Sequence, residues 1–180
     1  MLQLVELNLR MEEQFMEFCE ALKPEDTQGR WLFEYKGEPF DVLVEKLQDW
    51  KQGRQLPEGW VPCSTFYLVK DDGKIVGKSS FRHQLNEFLK TIGGHIGYII
   101  RPDERWKGYG NEILRLTLNK ARELGLTKVL VTCDEDNIAS AKIIEKNGGK
   151  LEDTYQENKI AVPKRRYWIK LQEGVYHGSD

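Results

Sequence analysis

The chain is short of cysteine: Cys19, Cys63 and Cys133 are an odd number at wide spacing, with no CxxC pair. That excludes a disulfide framework and the ligand spacing of a structural zinc. Reduced thiols in a cytoplasmic compartment are expected, and no metal site. Long apolar runs are missing as well, so no membrane span is expected. The first residues, MLQLVELNLR, lack the basic start and apolar stretch of a secretory leader. Nor is there an excess of one charge. The 27 Lys and Arg set against 29 Asp and Glu leave a net charge of −2. That balance argues against a nucleic-acid partner held by bulk positive charge, and none is expected. Internal repeats and low-complexity tracts are absent. What is present, 180 residues with 39% hydrophobic and 11% aromatic content, suits one globular domain. A chain of this length buries about 70% of its unfolded surface and needs no staple to fold.

The hydrophobic pattern sets out the elements. Residues 2–7 alternate loosely, as a first strand would. Met11, Phe15, Phe18, Cys19 and Leu22 then share one helical face, and Lys23-Pro24 stops that helix. Phe40, Leu43, Val44 and Leu47 repeat the spacing, with Pro39 suited to a first turn. This second helix should end near Gly53. Residues 53–62 hold Gly53, Pro57, Gly59 and Pro62 and read as a loop placed to act as a hinge or lid. Segments 64–70 and 74–81 are β-rich, with Asp71-Asp72-Gly73 as the hairpin turn between them. A further strand, 95–100, follows Gly93-Gly94. In 111–124, residues Ile113, Leu114, Thr117, Leu118, Ala121 and Leu124 form a helical face that Gly125 ends. Residues 128–133, KVLVTC, have the pattern of a strand covered on both faces. A shorter helix spans 138–146, opened by Asp136 or Asn137 and closed by Gly148-Gly149. Segments 151–155 and 166–171 complete the strands. The order predicts an α+β fold with one mixed sheet and helices on its faces. A single domain over 1–172 and a polar tail over 173–180, containing His177, are expected.

The most informative stretch is Ile99-Ile100-Arg101-Pro102-Asp103-Glu104-Arg105-Trp106-Lys107-Gly108-Tyr109-Gly110-Asn111. A strand runs into a loop with two cations and two glycines, and a good helix starts at once. The first turn of a helix leaves N–H groups without intrahelical partners at the positive end of the macrodipole. Gly108 and Gly110 remove side chains that would block approach, and Arg105 and Lys107 add positive charge. The combination suits a phosphate or pyrophosphate. It is neither GxxxxGK[ST] nor GxGxxG, because Ile113 stands where the third glycine should be.

Arg105-Trp106-Lys107-Gly108-Tyr109-Gly110 resembles the R/Q-x-x-G-x-G/A signature of the GNAT acyltransferases. A second stretch, from Asn137-Ile138-Ala139-Ser140 to Glu145-Lys146-Asn147-Gly148, is similar to that family's N-x-x-A-x-x-L-Y-E-K-x-G segment, with Ser140 in place of Ala. The run His83…Asn86…Gly93-Gly94-His95-Ile96-Gly97-Tyr98 further resembles a bacterial subgroup of predicted acetyltransferases. The resemblance covers about residues 1–172. It implies a mostly antiparallel mixed sheet with a central, splayed parallel pair, and acetyl-CoA as co-substrate. The implied cofactor contacts are the Arg105–Asn111 loop (Arg105, Trp106, Lys107, Gly108, Tyr109, Gly110, Asn111) for the pyrophosphate, backbone near Tyr98, Ile99 and Ile100 for the pantetheine arm, and Asn137 and Ser140 from the other side. Asn137 is equally suited to a plain helix cap. Dimers are common in the family, so a homodimer is allowed.

Acyl transfer to an amine implies an acceptor that is a small molecule or a peptide. An ammonium with a pKa of about 10.4 must lose a proton before it attacks. For this base His95 ranks first and His83 second, with Asn86 as a substrate-orienting amide. Each of these also has a purely structural reading: a strand histidine, or solvated loop residues. The family's proton donor to the thiolate is a Tyr whose place is taken here by Ile144, so either another hydroxyl donates or the thiolate leaves unaided. Asp134-Glu135-Asp136 either attracts a cationic amine or is a solvated helix entry. Trp31, Trp50, Trp60 and Phe66 are core aromatics or the wall of a substrate pocket. The expectation is an N-acetyltransferase working by direct attack in a ternary complex. The rival readings are a non-catalytic CoA-binding module of the same fold and an enzyme for another phosphorylated ligand.

Overall fold

A computed structural model describes residues 1–22, 35–157 and 160–171. The elements run β1 (Leu2–Val5), α1 (Glu12–Ala21), α2 (Phe40–Lys51), β2 (Cys63–Lys70), β3 (Ile75–Arg82), α3 (Glu87–Thr91), β4 (Ile96–Ile100), α4 (Tyr109–Glu123), β5 (Lys128–Asp134), α5 (Ile138–Lys146), β6 (Gly149–Tyr155) and β7 (Lys164–Lys170). A short 3-10 turn, Pro102–Glu104, joins β4 to the loop before α4. The polar tail with His177, and Trp31, lie outside the described residues.

The described strands form one sheet in the order β1-β2-β3-β4-β5-β7-β6. All neighbours are antiparallel except β4 and β5. Successive side chains of a strand point to opposite faces, and Phe66 and Tyr67 of β2 show the consequence. Tyr67 packs with Phe15 and Phe18 of α1 and Leu43 and Leu47 of α2. Phe66 belongs to the core that α4 and α5 cover with Leu114, Leu118, Ala121, Ala141 and Ile144. Helices therefore lie on both faces. As its uniform apolarity predicts, β5 is buried on both sides: Val129, Leu130 and Val131 are all 0% exposed.

The central pair barely touches. β4 and β5 share a single register pair, Ile96 with Val131. Just before it, the His95 N–H donates to Leu130 O at 2.7 Å and the Leu130 N–H donates to His95 Nδ1 at 2.9 Å. Past Ile96 the strands diverge, leaving the facing edges of Gly97–Ile100 and Thr132–Asp134 without a strand between them. The expected splayed parallel pair is present.

Some boundaries differ from the sequence reading. Helix α3 was not anticipated, because five residues are too few to show a helical period. Helix α4 starts at Tyr109 rather than 111, because Gly108 supplies a left-handed N-cap with φ 85°. Strands β6 and β7 each begin two residues early, at Gly149 and Lys164.

Candidate active site

The divergence of β4 and β5 opens into a cavity of about 590 Å3. Its size is that of a small-molecule site. The lining comes from Ile96, Gly97 and Tyr98 of β4, Thr132 and Asp134 of β5, Asn137 and Ser140 at the start of α5, Ser80 and Arg82 of β3, the Gly59–Val61 segment, and Phe88, Leu89 and Ile92 around α3. Ser80 stands directly across from Gly97 in the β3–β4 register. The Tyr98 hydroxyl lies 3.0 Å from Ser140 Oγ. Burial pushes the Tyr98 phenol well above its usual pKa, with the Ser140 hydrogen bond opposing, so it is protonated at neutral pH. The Asn137 side chain caps α5, accepting from the Ser140 N–H at 3.0 Å, and also borders the cavity. Both readings of Asn137 are therefore compatible with its position. Cys133 also lines the cavity, and burial pushes its thiol up to about 11, which leaves it a poor nucleophile.

Charge in the described lining is sparse. Asp134 is ion-paired with Lys164. Arg82, at the end of β3, donates from Nη1 to Gly93 O at 3.2 Å and from its backbone N–H to His95 O at 2.7 Å. No carboxylate pairs with it among the described residues.

The glycine loop lies at the opposite end of β4. Gly108 has φ 85°, and a Cβ there would meet nothing within 4 Å. The space above the first turn of α4 is open, and no side chain caps that turn. The N–H groups at the very start of that turn have no intrahelical partner, whereas that of Asn111 already donates to Gly108 O at 3.1 Å. Gly110 has a different reason to be glycine: a Cβ there would lie 2.7 Å from Ile143 Cδ1. Gly110 thus lets α5 pack against α4. Tyr109 packs beside Leu68 and Val76. Asn111 Oδ1 accepts from Asn147 Nδ2 at 3.1 Å, tying the start of α4 to the end of α5. The cations are partly engaged. Lys107 Nζ pairs with Glu104 at 2.9 Å, and Arg105 Nε donates to Ile100 O at 3.2 Å. Glu104 is also paired with Lys74, so the loop is fastened to the β2–β3 hairpin. Trp106 is 92% exposed, in a left-handed conformation with φ 65°. Ile99 and Ile100 complete β4 between the cavity and this loop.

The histidines singled out in the sequence do not line the cavity. His95 is 7% exposed, and its Nδ1 is occupied by the Leu130 N–H. Burial, and then the charge of Arg82, pull its pKa down to about 4. The ring completes the β4–β5 contact. His83 Nε2 lies 2.9 Å from Ser64 Oγ, and burial lowers its pKa, helped by Lys51. Asn86 does border the cavity, yet its amide is engaged on both sides. Its Oδ1 accepts from the Leu89 N–H at 2.9 Å and its Nδ2 donates to Gly59 O at 2.8 Å. Sequence reasoning missed Arg82 and Ser80; nothing marks them until β3 is known to border an opening.

Comparison with known proteins identifies the family and the fold. Residues 3–150 match the model of the acetyltransferase (GNAT) domain, and the chain belongs to that family. The uncharacterised N-acetyltransferase YnaD of Bacillus subtilis is 29% identical over 85 residues, which span 45% of this chain and 48% of that protein. The match thus spans about half of each. Spermidine N-acetyltransferase of Vibrio cholerae, solved with CoA and spermine, superposes with a TM-score of 0.64 at 16% identity over 94% of this chain and 95% of that one. An N-acetyltransferase of Staphylococcus aureus superposes with a TM-score of 0.62 at 14% identity over 96% of this chain and 99% of that one. At such identities the two structures speak for the fold alone. Among the described residues no helix is long and apolar enough to cross a membrane, and no cluster of side chains suits a metal ion.

Proposed function

We propose that the protein transfers the acetyl group of acetyl-CoA to an amine, both substrates bound together. One observation carries this reading: the unpaired edges of β4 and β5 lie between an uncapped helix start and the cavity. The N–H groups around Gly108 would receive the pyrophosphate, helped by Arg105 and Lys107. The pantetheine amides would pair with the free edge of β4 near Tyr98, Ile99 and Ile100. The thioester would then lie beside Tyr98 and Ser140, with backbone N–H groups polarising its carbonyl.

The amine lone pair forms the new C–N bond, and the C–S bond breaks to release the thiolate. The thiolate takes its proton from the Tyr98 hydroxyl, which Ser140 supports, in place of the family's tyrosine at the Ile144 position, and the Tyr98 phenolate regains a proton from water as CoA leaves. The amine proton passes to Asp134, the one carboxylate of the described lining, directly or through water. The geometry gives His95 and His83 no such role, because neither faces the cavity.

Calorimetric titration with acetyl-CoA, parent against Gly108→Glu, tests the reading. The added carboxylate would occupy the open space over the helix start and repel the pyrophosphate. Micromolar binding by the parent, lost in a folded variant, is expected. A folded parent that does not bind acetyl-CoA would refute the transferase and the CoA-module readings together. Binding without thiol release toward any amine would leave the CoA module.

A further inference from the structure

On β3 the cavity wall holds two polar side chains whose bonding capacity is largely unmet among the described residues. Arg82 contributes a guanidinium whose one side-chain hydrogen bond among the described residues, to Gly93 O, leaves most of its fork of donors unused. Two residues back on the same face of β3, Ser80 is 3% exposed, and its Oγ has no hydrogen-bond partner. A buried hydroxyl left unpaired costs stability, and a partly buried guanidinium with no carboxylate beside it adds to that cost. Burial does pull the Arg82 pKa below its usual range, yet an arginine remains charged at neutral pH. The described lining carries two cations, Arg82 and Lys164, against the single carboxylate of Asp134, which Lys164 already engages.

The pyrophosphate does not account for this cation. Arg82 donates to His95 at the start of β4, whereas the glycine loop follows the end of that strand. Ile96 to Ile100 is four residue steps, about 13 Å. The same cavity is also lined by the apolar side chains of Trp60, Phe88, Leu89 and Ile92.

We infer that the acyl acceptor is a small amine that also bears a carboxylate, the carboxylate received by Arg82 and Ser80 and the apolar body by Trp60 and Phe88. An apolar amino acid has this chemistry. A polyamine does not, because it would bring positive charge to an unneutralised guanidinium. The inference rests on the transferase reading, and the test keeps the two apart.

Thiol release from acetyl-CoA is measured with matched pairs that differ only in the carboxylate. Suitable pairs are phenylalanine with phenethylamine, leucine with 3-methylbutylamine, and 6-aminohexanoate with pentylamine; spermidine is the polycation. The carboxylated member of at least one pair should be favoured at least tenfold in kcat/KM. Arg82→Gln should abolish the preference, and Arg82→Lys should keep part of it. Ser80→Ala removes an unpaired hydroxyl, so it should fold as well as the parent. It should raise KM several-fold for the carboxylated amine alone. Equal or reversed preference within the pairs, or turnover of spermidine alone, overturns the inference and leaves the transferase standing. So does the absence of turnover of every carboxylated amine by a protein that binds acetyl-CoA. Failure to bind acetyl-CoA removes both.

Discussion

Ile144 occupies the position where the family's proton donor is expected, and it is 0% exposed. A Cβ placed on Gly149 would lie 2.5 Å from its Cγ2, so there is no slack around it. Ile144→Tyr therefore should not recreate an acid. Overpacking at such a site costs about 1–3 kcal/mol. For a chain of this size each kcal/mol lowers Tm by roughly 2–4 °C. Thermal unfolding should show that loss, with no gain in turnover. Tyr98→Phe is the complementary test. It keeps the ring and removes the hydroxyl that faces Ser140. General acids contribute about 10²–10⁴-fold, but a thiol of pKa about 8.5 is a tolerable leaving group. A fall in kcat of about tenfold, with acetyl-CoA affinity unchanged, is expected from steady-state kinetics and calorimetry. An unchanged kcat would mean that the thiolate leaves unaided.

The contact between β4 and β5 makes pH a probe of an element. His95 has a folded pKa of about 4 against an ordinary 6.5, through burial first and Arg82 second. Its contribution is thus fully present above pH 6.5 and is lost as pH falls through 4. In that window the unfolded chain binds the extra proton. The shift corresponds to about 3 kcal/mol. Urea unfolding at pH 7 and pH 4.5 should show a drop in stability that His95→Gln largely removes. Gly94 tests the same contact sterically. With φ 58°, its added Cβ would lie 2.4 Å from Leu130 O, so Gly94→Ala must prise the strands apart. More than about 2 kcal/mol should be lost in urea unfolding. Gly93→Ala, whose Cβ meets only the Leu89 Cδ2 atom at 3.3 Å, should cost less.

At the scale of the whole molecule, the legible part of the fold was the part with a period. The hairpin turn, the α4 face and the all-apolar β5 were readable because side-chain spacing reports burial directly. The glycine loop was readable because its glycines, cations and helix start lie within a few residues of each other. The cavity was not, since Ser80, Arg82 and Phe88 meet Tyr98 and Ser140 only through strand pairing and the return of the chain after α4. Which of its two readings suits His95 was illegible for the same reason: its Nδ1 meets the Leu130 N–H only once β4 lies beside β5. If loop and cavity are two ends of one cofactor groove, acetyl-CoA must stabilise the entire fold, because it bridges β4, β5, α4 and α5. At a ligand concentration of 100 times Kd the gain is about 2.7 kcal/mol. For 180 residues this raises Tm by roughly 5–11 °C. Free CoA should retain most of that shift, because it has the same pyrophosphate and pantetheine, and adenosine alone should give little. A shift with adenine nucleotides as large as with CoA would show that the β4–β5 opening plays no part in binding, and would turn the site toward another phosphorylated ligand.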